Sequence, residues 1–121
     1  MRNCSFLFLF LATPAFAQSQ PIEDACKTVA KNFFLTEKLN VGVAQSFPAL
    51  IPPGVRMSYS RRPDTPKDEM SDVFECEFKS AQPPYELSRF CVSRTCYSPE
   101  SNEGEEKRRF EQMHDLLGRS Q

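Results

Sequence analysis

Four cysteines constrain this chain more than any other feature of its sequence: Cys26, Cys76, Cys91 and Cys96. A fifth cysteine, Cys4, lies in an N-terminal segment that has the pattern of a cleaved export signal. An even number of cysteines in a short exported chain typically forms disulfides. Two such bridges would tie distant segments of a small domain together at fixed points.

The first residues have the three parts of a signal peptide. Arg2 gives a short positive start, residues 6–11 are apolar, and the Ala-Phe-Ala at 15–17 is the small-x-small pattern that signal peptidase reads. We therefore expect cleavage after Ala17, so that the mature chain begins at Gln18. The apolar run is far shorter than the roughly 20 residues that cross a bilayer.

This processing defines the domain organisation and the location that we expect. Residues 1–17 form the signal peptide, and residues 18–121 form a single small domain, in keeping with their length. Cys4 does not follow the cleavage point, as a lipid-modified cysteine would. The short positive start and the Ala-x-Ala-Gln site are typical of bacterial export. We expect a periplasmic or secreted protein without stable membrane insertion after cleavage.

The segment from Cys91 to Cys96 admits three uses of its two cysteines. A Cys-x4-Cys spacing fits half of a zinc site, but Cys26 and Cys76 stand alone, 50 positions apart. A catalytic dithiol usually has the spacing Cys-x-x-Cys. The oxidising compartment and the spacing favour two structural disulfides, with no metal and no cofactor.

Apolar periodicity predicts an α+β fold in which an antiparallel sheet packs against helices. Helical spacing of apolar residues predicts a helix over 21–38, ended by Asn40 and Gly42, and Ser98-Pro99 predicts the start of a second helix that ends near Gly118. Alternating patterns predict three strands between the helices, at 55–60, 72–80 and 86–93. Residues 41–47 could add a fourth strand at the edge. Residues 61–69 are predicted to form a solvated loop.

The facing of the strands predicts the disulfide pairing. Cys76 alternates with Phe74 and Phe78, so it should face the core, where the first helix presents Cys26. In 86–93 the better inward set is Ser88, Phe90 and Val92, which places Leu87, Arg89 and Cys91 on the opposite face. Cys91 would then pair with Cys96.

A one-residue slip of register would instead join Cys76 to Cys91 and Cys26 to Cys96. Loop entropy does not separate the two pairings, because the summed contributions are about 6 and about 7 kcal/mol. The prediction of Cys26–Cys76 and Cys91–Cys96 therefore depends on strand facing alone.

Charge gives no sign of a nucleic-acid partner. Without Arg2 the balance is 14 basic against 16 acidic residues, a net charge of −2. The two basic clusters, Arg61-Arg62 and 107–109, both have acidic neighbours, so we expect solvated faces with local pairing.

Few residues suggest catalysis. His114, the single histidine, lies beside the apolar stripe of the last helix, with no adjacent serine or free thiol to activate. Glu75 and Glu77 lie two apart on one strand face, so their carboxylates could form an acid pair. A solvent-exposed sheet surface with no catalytic role gives the same spacing of glutamates.

The segment SFPALIPPGVR, residues 46–56, contains Phe47, Leu50 and Ile51 among three prolines. Two interpretations remain open for it. The apolar side chains could fold over the sheet as a lid on the core, or they could form a stiff exposed patch bordered by Arg56 that docks a partner.

These observations favour a non-enzymatic binding or accessory module whose partner is an unknown protein or envelope component. The alternative is a small secreted hydrolase or transferase that uses a carboxylate pair such as Glu75 and Glu77. The exposure of the proline-rich segment and the depth of any cleft beside the carboxylates would distinguish them.

Overall fold

The computed structural model describes residues 18–121. The predicted signal peptide, which includes Cys4 and Ala17, lies outside the described residues. Cleavage after Ala17 therefore stays a prediction. Among the residues described, no helix has both the length and the apolar character needed to cross a membrane.

Residues 18–121 form the predicted α+β domain, with a five-stranded antiparallel sheet between two helices in the chain order. The elements are α1 (Gln20–Phe34), β1 (Asn40–Phe47), β2 (Gly54–Ser60), a 3-10 turn (Lys67–Glu69), β3 (Asp72–Phe78), β4 (Leu87–Val92), β5 (Thr95–Tyr97) and α2 (Gly104–Arg119). Each strand pairs with the next one along the chain, in the order β1-β2-β3-β4-β5. The additional edge strand that the sequence allowed at residues 41–47 is present as β1.

Helix α1 ends earlier than residue 38, the end that the sequence predicts. Leu35 adopts a left-handed conformation with φ of 54°, and Thr36 N–H donates to the Lys31 carbonyl at 3.0 Å. This arrangement satisfies carbonyls of the last helical turn. The predicted stop residues Asn40 and Gly42 lie in β1 instead.

Helix α2 begins at Gly104, so the predicted start at Ser98 is wrong. The chain first forms β5, a strand that the sequence did not indicate, which pairs with β4. Ser98 instead stabilises a turn, because its Oγ accepts a hydrogen bond from Glu100 N–H at 3.2 Å. Residues 98–103 connect the end of β5 to the start of α2.

The core lies between the two helices and one face of the sheet, which we call the covered face. Alternate residues of each strand point into this core. On β3 these are Phe74, Cys76 and Phe78, which are buried as the alternation of the sequence predicts. The Phe74 and Phe90 rings stack at 5.8 Å between centroids. The buried residues of the helices complete it: Ile22, Ala25, Cys26, Val29, Ala30, Phe110, Met113 and Leu117.

Both predicted disulfides are confirmed. Cys26–Cys76 links α1 to β3 within the core, and Cys91–Cys96 links β4 to β5 at directly paired positions. One detail of β4 differs, because the register shifts between Glu77 and Phe78. Leu87, expected on the outer face, is therefore buried in the core, and Ser88 is not part of it.

The outer edge of β1 carries features that limit pairing with another chain. Ser46 N–H donates to Gln18 Oε1 at 3.2 Å, and Ser46 Oγ donates to the buried Glu23 carboxylate at 2.9 Å. A register shift between Val41 and Ala44 bends the strand. Such irregular, occupied edges are poor templates for a further strand.

Candidate functional site

The side of the sheet opposite the helices, which we call the open face, carries the polar residues of the alternating strands. Register places one row across all five strands and a second row beside it. The first row is Gln45, Arg56, Glu75, Cys91 and Cys96, and the second contains Phe47, Gly54, Glu77 and Arg89.

Oppositely charged neighbours face each other along these rows. Arg56 Nε lies 3.7 Å from Glu75 Oε1, and Arg89 Nη1 lies 3.7 Å from Glu77 Oε1. Both separations exceed normal hydrogen-bond distances, and all four side chains are exposed to water. Exposed pairs of this kind contribute little to stability, so the four charges can exchange partners at low cost.

The loop between β1 and β2, residues 48–53, projects its apolar side chains into water, and we call it the hairpin tip. Ile51 is 100% exposed and Leu50 is 58% exposed, while Phe47 at the end of β1 is 41% exposed. The interpretation of this segment as a lid on the core is therefore wrong for Leu50 and Ile51. The exposure of this segment is not predictable from its sequence, because its prolines disrupt the periodicity from which burial is inferred.

The base of the hairpin tip is fixed although its apolar residues are exposed. Pro53 is buried, and its carbonyl accepts a hydrogen bond from Phe78 N–H at 2.9 Å. Leu50 N–H donates to the Phe47 carbonyl at 3.3 Å. Proline at 48, 52 and 53 restricts φ through the segment. The tip therefore presents its side chains from a restrained backbone.

A depression of about 300 Å³ lies between the hairpin tip and the open face. It brings together predicted site residues from two different hypotheses: Phe47, Leu50 and Arg56 from the docking hypothesis, and Glu75 and Glu77 from the carboxylate hypothesis. Ile51 lies beside the depression on the tip and does not line it. The other residues that line it, which the sequence did not single out for binding, are Gln45, Pro52, Gly54, Val55 and the disulfide-bonded Cys76.

No motif in the sequence marks these additional lining residues as part of a site. Gln45 enters the site because β1 pairs with β2, which sets it opposite Arg56. Pairing of β1 was only an option in the sequence, so its outward residues could not be assigned. Alternation along β1 would have found Gln45 once that strand was accepted.

The carboxylate pair sits in surroundings that give little support to catalysis. Glu75 and Glu77 line a depression that is open to water, and each faces an arginine. Carboxylates that act as paired acid and base normally work in a site that excludes water and sets their environments apart. This arrangement can bind and orient charged groups on its surface.

His114 lies away from the depression, between two other carboxylates. Its Nε2 is 3.2 Å from Glu86 Oε1, and its Nδ1 is 3.2 Å from Asp115 Oδ1. The four described cysteines are all in disulfides and offer no thiol nucleophile. Within residues 18–121, no cluster of three or more histidine, cysteine, aspartate or glutamate side chains could hold a metal ion.

Comparison with known proteins gives no relative. The chain matches no protein-family model, no curated protein and no solved structure at a significant level.

Proposed function

We propose that this chain is a non-enzymatic binding module of the periplasm or the extracellular space, which docks a protein partner through its hairpin tip. One observation carries the proposal: Leu50 and Ile51 are exposed on a loop whose backbone is restrained by prolines and fixed at its base. Arg56, Glu75 and Glu77 form a polar border beside them. An apolar centre with a polar rim is the usual composition of a protein interface.

The energetics of the tip suit docking into an apolar pocket. Transfer of a leucine or isoleucine side chain from water to an apolar environment is worth about 1.5 to 3 kcal/mol. A restrained loop loses less conformational entropy on binding than a flexible one, so more of this energy is retained as affinity. The two residues together would supply about 3 kcal/mol or more.

The location rests on two further observations. Two disulfides staple a domain of 104 residues (121 − 17), and structural disulfides persist mainly in oxidising compartments. The N-terminal sequence has the pattern of an export signal. Both features fit a bacterial periplasmic or secreted protein whose partner is another exported protein or an envelope component.

Replacing Leu50 and Ile51 together by serine tests the proposal. We expect the affinity for the partner to fall about a hundredfold or more, because roughly 3 kcal/mol of apolar transfer is lost. The melting temperature should change by less than about 4 °C, as for an exposed site. Leu35→Ser is the matched control, since Leu35 is 93% exposed and lies at the end of α1.

The partner would be found by photo-crosslinking from position 51, with a crosslinker at position 35 as control, in a cell-envelope extract. Binding of the identified partner to the wild type and to both variants would then be measured by calorimetry. Equal affinity of the double variant and the wild type would contradict docking through the tip. A large loss of thermal stability in the double variant would show that the tip belongs to the core.

A further inference from the structure

A second group of charged residues ties helix α2 to the connection between β3 and β4, residues 79–86. His114 of α2 contacts Glu86 through Nε2 and Asp115 through Nδ1, each at 3.2 Å. A neutral imidazole donates from one nitrogen only, whereas the imidazolium donates from both. Both carboxylates can therefore accept a hydrogen bond from His114 only while the ring is charged.

The connection has further polar contacts, and its Tyr85 side chain also packs against the core. Lys79 Nζ lies 3.1 Å from Glu86 Oε1, and Lys79 N–H donates to the Glu86 carbonyl at 2.9 Å. The Gln121 side chain accepts a hydrogen bond from Tyr85 N–H at 2.7 Å and donates to the Tyr85 carbonyl at 3.1 Å. Residues 82–84 are exposed. His114 supplies an ion-pair contact from α2 to the connection, and Gln121, beyond the end of α2, supplies the hydrogen bonds to Tyr85. Of these two residues, only the histidine titrates near neutral pH.

We propose that His114 is a pH-sensitive latch that fastens the β3–β4 connection to helix α2 while its imidazole is protonated and loosens it when the proton is lost. The charged or titratable groups around the ring are Asp115 of α2 and Glu86 of the connection, with Lys79 beyond Glu86. Tyr85, Glu86 and His114 all line one small cavity of about 160 Å³. The Phe110 ring packs at 5.8 Å from the imidazole.

The protonation equilibria of both partners define the pH range of the latch. Partial burial alone would lower the pKa of His114, but hydrogen bonds to Asp115 and Glu86 outweigh it, and the pKa is raised above 6.5. Hydrogen bonds from His114 and Lys79 lower the pKa of Glu86 below 4.5. The stabilisation from His114 is complete below pH 6.5 and is lost as pH rises through the raised pKa. That from Glu86 is present above pH 4.5 and is lost as pH falls through the lowered pKa.

The latch is therefore fastened in mildly acidic solution and loosens on the alkaline side. The latch does not depend on the proposed docking function.

The single histidine makes the latch directly measurable in the intact protein. Nuclear magnetic resonance titration of the imidazole should give a pKa above 6.5 for the wild type, lowered in Glu86→Gln and in Asp115→Asn. Hydrogen exchange of the Lys79 and Tyr85 amides, corrected for intrinsic rates, should speed up several-fold between pH 6 and pH 9. In His114→Gln this pH dependence should disappear.

Two outcomes would overturn the latch. One is an imidazole that titrates at or below 6.5 in the wild type. The other is the same pH dependence of exchange in His114→Gln as in the wild type, which would assign the change to another group. Amides in the centre of β3, such as that of Phe74, serve as an internal reference because they should not respond. Partner binding has no part in this measurement, so its result is separate from that of the docking proposal.

Discussion

The two faces of the sheet use the same strands for different tasks. On β3, Phe74 and Cys76 are buried among the helices, while the intervening Glu75 and Glu77 lie on the open face. Burial of the first set removes apolar surface from water and stabilises the fold. The second set is exposed and weakly paired. Residues of the open face can therefore be substituted without much loss of stability.

The two disulfides follow the same division. Cys26–Cys76 joins residues 50 positions apart and lies within the covered face, at Cα atoms 5.7 Å apart. Cys91–Cys96 joins residues five positions apart at the open face, within the β4–β5 hairpin. The first disulfide links α1 to the centre of the sheet, whereas the second links only the neighbouring strands β4 and β5 at the edge of the sheet.

The difference between the faces is tested most strongly by neighbouring residues of β3. Phe74→Ala should lower the free energy of unfolding by about 3 to 5 kcal/mol, because it leaves a cavity in the core. Val73→Ala on the open face should cost less than about 1 kcal/mol. Chemical denaturation of both variants measures this. Similar losses would show that the open face contributes to the core more than its exposure indicates.

Removal of each disulfide should give the next largest effects. Replacing Cys26 and Cys76 by alanine should cost about 4 kcal/mol from loop entropy alone, whereas the same change at Cys91 and Cys96 should cost about 2 kcal/mol. Urea unfolding of the two double variants provides the comparison. An equal or larger loss for the second pair would mean that the hairpin edge anchors α2 more firmly than the length of its closed loop suggests.

The smallest effects should come from the ion pairs of the open face. Arg56→Gln, Glu75→Gln and the double variant should show a coupling of less than about 1 kcal/mol in a double-mutant cycle. The coupling should fall further in 0.5 M salt, because exposed charges are screened. A larger coupling that persists in salt would indicate a desolvated pair and a closed site.

Strand alternation and the cysteines were enough to predict the fold class, the pairing of the disulfides and the facing of β3. The errors came where tertiary pairing overrides local pattern. Leu87 is buried because the register shifts beside Phe78, and a shift leaves no trace in alternation. The three residues of β5 are too few to show periodicity, and the Ser98-Pro99 signal was equally suited to a turn.

The candidate site was predictable only in part. Sequence reasoning singled out Leu50, Ile51 and the carboxylates of β3 as separate possibilities. It could not place them together, because their proximity depends on how the β1–β2 loop folds back beside β3. Exposure of the tip was also undetermined, since an apolar segment rich in proline fits a lid and a protrusion equally well.

The prolines of the hairpin tip also bear on the rates of association. A loop that already holds its bound shape needs no ordering step after encounter, so association should proceed at the ordinary rate of docking two rigid surfaces. Substitutions at Leu50 and Ile51 would then act mainly on the dissociation rate. Replacing the prolines at 48 and 52 would instead slow association while leaving every apolar contact available, which separates the stiffness of the tip from its chemistry.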